Sequence, residues 1–281
     1  MLEALGVPFD RRGAVLRPRS AADHETVRGL YDNARGNGVE VALDEDGALH
    51  VPGEGMTDPV AFTLALAGAA VGHGARLALG APVASPPAAD LVVNAAGLGA
   101  GRVGRLFGDD SFDVHPRKGE FLVFDVAPPE RILLPVPTAR TKGVLVFPTL
   151  DGRTVAGPTA VDLDEEDWTV RPGARDEILG KAVAMHPALE GAEPSFAYAG
   201  LRPAGRDGAN YVVRRSEVDE RVVHAAAIRS TGLTAAVAIA ERVVSLAGLD
   251  ALPEAPLRRG APWHRADGPW WRRTADRLAA A

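Results

Sequence analysis

Ala226-Ala227-Ile228-Arg229-Ser230-Thr231-Gly232-Leu233-Thr234-Ala235-Ala236, followed by an apolar helix pattern over residues 237–246, is the stretch on which the reading of this chain turns. A strand pattern ends, small residues make a turn, and a helix begins with Ser and Thr hydroxyls and a Gly that lets backbone approach a ligand. The free N–H groups and positive dipole end of such a helix suit an electron-rich group. Ordinary strand-to-helix connections use the same residue types, so the stretch takes its meaning from the rest of the chain.

A length of 281 residues is enough for a sizeable core, as one large or two interlocked domains. A net charge of −6 gives no electrostatic case for nucleic acid or an anionic membrane. The absence of Cys excludes disulfides, thiolate metal sites, Fe–S clusters and Cys nucleophiles. The seven His are scattered without ligand spacing, so no metal constellation stands out. No signal peptide opens the sequence and no apolar run reaches membrane-spanning length, so a soluble cytoplasmic protein is the expectation.

Outward from the C-terminal turn, helices and strands alternate in the first third. Ser20 caps a helix running to Gly36, and Asp58-Pro59 opens a second, expected to be well buried. Arg76 to Leu79 and the apolar run Leu91 to Ala96 read as strands of a parallel layer, separated only by the Pro-rich segment from Gly80 to Ala89. From Phe121 to Val213 the pattern changes to strands with turn punctuation, interrupted by a helix over Arg175 to Met185. The fold class is therefore mixed α/β (α+β). Residues 250–281, rich in Pro, Arg and Trp, read as an extension that docks through Trp263, Trp270 or Trp271.

Five further segments, taken in order, carry a resemblance. They are Asp90 to Gly97 (DLVVNAAG), Pro116 to Asp125 (PRKGEFLVFD), Lys142 to Thr149 (KGVLVFPT), Val155 to Ala160 (VAGPTA) and Tyr198 to Pro203 (YAGLRP). With Ile228 to Ala236 last, the chain resembles the FAD-dependent oxidoreductases of the D-amino-acid oxidase and glycerol-3-phosphate dehydrogenase superfamily, in its 2-hydroxyglutarate oxidase-like branch. The resemblance spans Leu2 to about Leu249 and implies two parts. One is a partial Rossmann-like FAD-binding layer, residues 1–113 and 195–249. The other is an antiparallel-sheet substrate domain, residues 114–194 with strands to about 224.

The family's opening strand, G-x-G-x-x-G turn and helix, which hold the ADP half of FAD, have no match before Gly97. The layer is thus expected to lack its first βα unit, as in an N-terminally truncated member. Gly99-Ala-Gly101-Arg-Val-Gly104 fits the pattern, but the helix it could open is barely two turns long before Pro116 closes the connection. That motif reads as a tight turn after a buried strand.

The resemblance also implies site residues. Asn94, Ala95, Ala96 and Gly97, with Arg229, Ser230, Thr231, Gly232, Leu233 and Thr234, fall where the family contacts its flavin. Arg202 falls on the family's substrate-anchoring arginine, for which a guanidinium's paired hydrogen bonds to carboxylate or phosphate are suited; a structural ion pair is the competing reading. Lys118 stands before the family's active-site strand, as an anion ligand or a turn cap. Phe121 occupies the place of the glycerol-3-phosphate branch's histidine, which argues against that substrate.

The implied activity is hydride transfer from a small anionic 2-hydroxy acid, polyol phosphate or amino acid to FAD. The alternative is a non-catalytic remnant, or a half-protein needing a partner chain or homo-oligomer to complete the dinucleotide site. Either way FAD is expected to bind weakly or to be lost.

Overall fold

The computed structural model describes residues 1–138, 143–249, 268–269 and 271–272. Local signals set its first helices. Ser20 caps the helix Ala21–Gly36 through a reciprocal box with Asp23, and the buried Asp58 accepts from the N–H groups of Val60 and Ala61 to start Pro59–Gly72.

A nine-stranded sheet dominates the molecule. Its spine is the long strand Val114–Phe124, paired antiparallel along one edge with Phe196–Gly205, in continuous register from Val114↔Gly205 to Val123↔Phe196. Along its other edge lie Thr154–Gly157 and the short strand Val161–Asp162. Leu145–Pro148 and Ile132–Leu134 continue the sheet, and Ile132–Leu134 pairs in parallel with Ala14–Leu16. Ala14–Leu16 and Leu49–Val51 therefore lie in the large sheet, although they fall within residues 1–113, which the resemblance gave to the first layer; Phe196–Gly205 joins the antiparallel sheet, among the strands expected to run on to about residue 224.

The pleat gives this sheet two faces of different use. On one face Leu122, Phe124, Val146 and Ala156 pack under the helix Ala174–Ala182 through Ile178 and Ala182, forming the main core. The other carries Phe121, Val123, Phe147, Phe196 and Tyr198. Trp271 of the C-terminal extension docks on that second face. It is buried, it donates from Nε1 to Asp151 at 3.0 Å, and Arg153 stands 5.5 Å from its ring. Trp263 and Trp270 lie outside the described residues.

The second layer is a three-stranded sheet in the order Val212–Arg215, Val222–Ala226, Val92–Asn94. Val222–Ala226 and Val92–Asn94 are parallel, and the latter has no partner on its outer edge among the described residues. Two expectations need correction here. Arg76 to Leu79 forms no strand, and Leu77 and Leu79 are exposed: no neighbouring strand supplies the ladder that extended backbone needs. The helix Pro59–Gly72 buries only Phe62, Gly68 and Ala69, leaving Val60, Leu66 and Val71 in solvent. No helix among the described residues is long and apolar enough to cross a membrane.

Candidate functional site

Two left-handed turns leave the parallel strands side by side. Val92–Asn94 runs into Gly97 at φ +59°, and Val222–Ala226 runs into Ala227 at φ +53°. Thr231, at φ +60°, then caps the helix Gly232–Leu246. The Tyr211 hydroxyl fixes this loop, donating to the Ser230 carbonyl at 2.7 Å and lying 2.6 Å from Thr231 Oγ1. The first intrahelical bond runs from Ala235 N to Thr231 O, so the N–H groups of Gly232, Leu233 and Thr234 precede the helical ladder.

Two hollows flank this helix start. One, of about 480 Å³, is apolar and runs between the small sheet (Val93, Ala95, Gly97) and the helix (Ile239, Val243). The other, of about 540 Å³, lies between the first helical turn (Leu233, Thr234) and the second face of the large sheet (Leu134, Leu145, Phe147). Both are in the size range of cofactor and ligand sites.

Arg202 lies on that same second face. It is opposite Arg117 in the strand register, and Arg117 is opposite Asp162 in the next strand. Its Nε donates to Arg117 O at 3.3 Å, and its Nη2 donates to Lys118 O at 3.2 Å and Thr159 O at 2.9 Å. Nη1 has no partner among the described residues, so the backbone holds the guanidinium through two of its three nitrogens. Burial pushes its pKa down, and the neighbouring cations Arg117 and Arg229 add to this. Arg202 and Arg229 are thus electrostatic neighbours; Asp162 offsets them in part, and no carboxylate among the described residues is bonded to either. Arg117 instead holds Asp162, in a two-point pair at 2.5 and 2.7 Å that also takes His115 at 3.0 Å.

Lys118 does not join them. One residue along the strand from Arg117, its side chain points to the opposite face, where it is buried and bonded to Asp167 at 2.5 Å and Thr169 O at 3.0 Å. Its convergence with Arg202 and Arg229 on one cleft is overturned by strand alternation. Glu120 shares this inner face and binds Arg171 and Thr159, so neither residue is a free charge.

Asn94 also turns inward. Its buried side chain donates to Ala100 O at 2.9 Å and contacts His224 Nδ1 at 3.1 Å, so only the turn after it, Ala95 to Gly97, faces a hollow. The Gly99–Gly104 motif is likewise internal. A Cβ on Gly101 would overlap the Asp113 carboxylate, and one on Gly104 would sit 2.9 Å from Asp109 O. These glycines allow a seven-residue helix, Ala100–Leu106, to press on the following loop.

The residues fit a flavin at one end. Two turns, a helix start and an apolar hollow surround the space between helix and sheet. They do not fit a dinucleotide's pyrophosphate: among the described residues no Gly-rich turn joins a parallel strand to a full-length helix.

Together, fold and site set a pair of left-handed turns and a helix start beside a large antiparallel sheet. The profile of FAD dependent oxidoreductases (DAO) matches residues 2–246, and the chain belongs to this family. It is 28% identical to the glycerol 3-phosphate dehydrogenase of Caloramator mitchellensis, over 86% of this chain and 58% of the relative. It is 30% identical to the glycerol 3-phosphate oxidase of Mycoplasma pneumoniae, over 55% of this chain and 42% of that protein. The chain thus spans about half the length of these relatives. Among solved structures, FAD-bound L-alpha-glycerophosphate oxidase from Mycoplasma pneumoniae superposes with a TM-score of 0.80 at 22% identity, covering 92% of this chain and 79% of that one. Glycine oxidase from Geobacillus kaustophilus gives 0.74 at 23%, covering 95% and 79%. These structures share the fold.

Proposed function

We propose that this chain carries the flavin-facing turns and the substrate sheet of a FAD-dependent oxidoreductase acting on a small anionic substrate. Arg202 is the observation that carries the reading. A half-buried guanidinium fixed by three backbone carbonyls, with Nη1 unbonded and no carboxylate bonded to it among the described residues, is organised before any anion arrives.

Bound flavin supplies the acceptor for a hydride leaving a hydroxyl- or amine-bearing carbon. Ala95 to Gly97 and Ser230 to Thr234 would hold its ring system, and Arg229 would place positive charge beside it. Arg202 would hold the substrate's anionic group and so fix which carbon faces the flavin. Phe121, stacked on Tyr198 at 5.1 Å and edge-on to Phe147, makes the wall beyond Arg202 apolar. That wall favours a 2-hydroxy or amino acid over a polyol phosphate. Titration of 2-hydroxy acids into the chain should give saturable binding that Arg202→Gln weakens by about tenfold or more. Equal binding by the variant would defeat the anchor role.

A second reading has its own support. Val93 is exposed on an edge strand, and the helix Gly232–Leu246 buries no residue despite Leu233, Val237 and Val244. This is the surface a complementing chain or second copy would cover. Light scattering of the chain alone, and with a polypeptide bearing a Gly-rich βα unit, checks it. A monomer indifferent to that polypeptide would remove the second reading.

A further inference from the structure

His224 is fully buried and lies in register with Asn94 across the parallel pair of strands. Its surroundings assign its tautomer. Asn94 Nδ2 is a donor, so Nδ1 at 3.1 Å accepts and carries no proton; Nε2–H then donates to Asp109 Oδ2 at 3.1 Å. Asp109 is fixed in turn by the Ser216 hydroxyl at 2.5 Å, the Ser111 N–H at 3.1 Å and the Ser111 hydroxyl. The edge of Phe112, 4.9 Å away, closes the space. Asn94 completes the network through Ala100 O, which ties it to the helix behind the strand.

The position of this network gives it a consequence. Three residues beyond Asn94 is Gly97, and three beyond His224 is Ala227, both left-handed. For Ala227 that conformation is one that side-chain-bearing residues seldom adopt, so the surrounding structure must hold it there. One buried pair therefore stands at the root of both turns that flank the proposed flavin.

We propose that neutral His224 is a positioning residue that locks the turns of residues 94–97 and 227–231 to each other, and that protonating it loosens both together. The functional meaning rests on the flavin reading above. A proton on Nδ1 would face the Asn94 amide donor, and one of the two must move. The charged groups facing the ring are Asp109 on Nε2 and, further off, Arg214, which donates to Ser111 Oγ at 2.5 Å. Burial pushes the His224 pKa below the ordinary histidine value, against the pull of Asp109 and with a small push from Arg214. Burial would raise Asp109, but its hydroxyl and N–H donors outweigh it and hold the carboxyl well below the usual range. With the folded pKa of His224 below the unfolded one, its contribution is complete above about pH 6.5 and is lost as pH falls from there.

Amide hydrogen exchange on the intact chain, corrected for intrinsic rates, tests this at about pH 7.5 and about pH 5.5. The expected result is exchange several-fold and up to about tenfold faster in both turns at the lower pH, with strands Val114–Phe124 and Phe196–Gly205 unchanged. Asn94→Ala and His224→Phe should loosen both turns at either pH and abolish the pH response. Loosening of one turn only, a uniform change across the chain, or a pH response that survives His224→Phe would overturn the proposal. The wild-type pH comparison stands if either variant fails to fold. A parallel riboflavin titration should show weaker binding at the lower pH; coupled turns with pH-independent affinity would also overturn the proposal. A chain that binds no flavin at either pH contradicts the flavin reading instead, and the exchange result then decides the coupling by itself.

Discussion

The large antiparallel sheet and the small three-stranded sheet are made of similar apolar strands, yet one is finished and the other is not. Val123 and Phe124 are 0% exposed, covered by strands on both edges and side chains on both faces. Val93 is 44% exposed at an open edge, and the helix over the small sheet has no fully buried residue. Apolar sequence alone does not make a core: a strand is buried when neighbours on its edges and a layer on its face are both present. The candidate site lies at the border of the two, with Arg202, proposed as the anion's anchor, on the covered sheet and the turns proposed for the flavin on the uncovered one.

This contrast can be broken by mutation. Phe124→Ala should destabilise the chain by about 3–5 kcal/mol, and Val237→Ala on the uncovered helix by less than about 0.5 kcal/mol, read from urea unfolding midpoints. Comparable losses at the two positions would show that the helix face is covered in solution.

Glu120→Ala comes next, at about 2 kcal/mol. That is below the range for fully buried pairs, because its partner Arg171 is 39% exposed. Burial raises the Glu120 pKa, but Arg171 and Thr159 outweigh it and the net shift is downward. Its stabilisation is therefore present above the unfolded carboxyl value and lost as pH falls through the folded one. Acid unfolding of wild type should steepen below about pH 4.5, and Glu120→Ala should flatten that limb.

Gly119→Ala sharpens the contrast at the site itself. A Cβ there would meet Pro158 Cβ at 3.0 Å and Arg202 Nη2 at 3.2 Å, so the guanidinium must shift. Anion binding should fall about tenfold with stability changed by less than about 1 kcal/mol, by calorimetric titration and thermal melts. The smallest expected effect is that of Val93→Lys. Stability should hold within about 0.5 kcal/mol, because the side chain already meets water, while any self-association seen by light scattering should disappear.

Features fixed by near neighbours in the chain were legible in the sequence. The caps at Ser20 and Asp58, the turn from Ala227 to Gly232, and the misleading Gly99–Gly104 motif all follow from local chemistry. Features decided by distant pairing were not. Arg76 to Leu79 carries a strand pattern but finds no edge to join. Lys118 could be assigned to a face only once the strand was seen to start at Val114 and pair Arg117 with Arg202. Arg202, held by backbone carbonyls, and Arg117, paired with a carboxylate, look alike in sequence, and only the register across three strands shows which of them Asp162 occupies. The His224–Asn94 contact joins positions 130 residues apart, with no local signal to announce it.

The central claim is that the flavin ring has a place in this chain and the ADP half does not. Equilibrium titration of the purified chain with riboflavin and with FAD tests it directly. Loss of charge-assisted contacts to two phosphates, each contact worth on the order of 1.5–3 kcal/mol, removes the usual advantage of FAD. The account predicts that riboflavin and FAD bind with affinities within about tenfold of each other, and that the chain purifies with FAD well below one per chain. FAD binding about a hundredfold tighter than riboflavin, or a purified chain fully loaded with FAD, would contradict it and show that these residues build a pyrophosphate site after all.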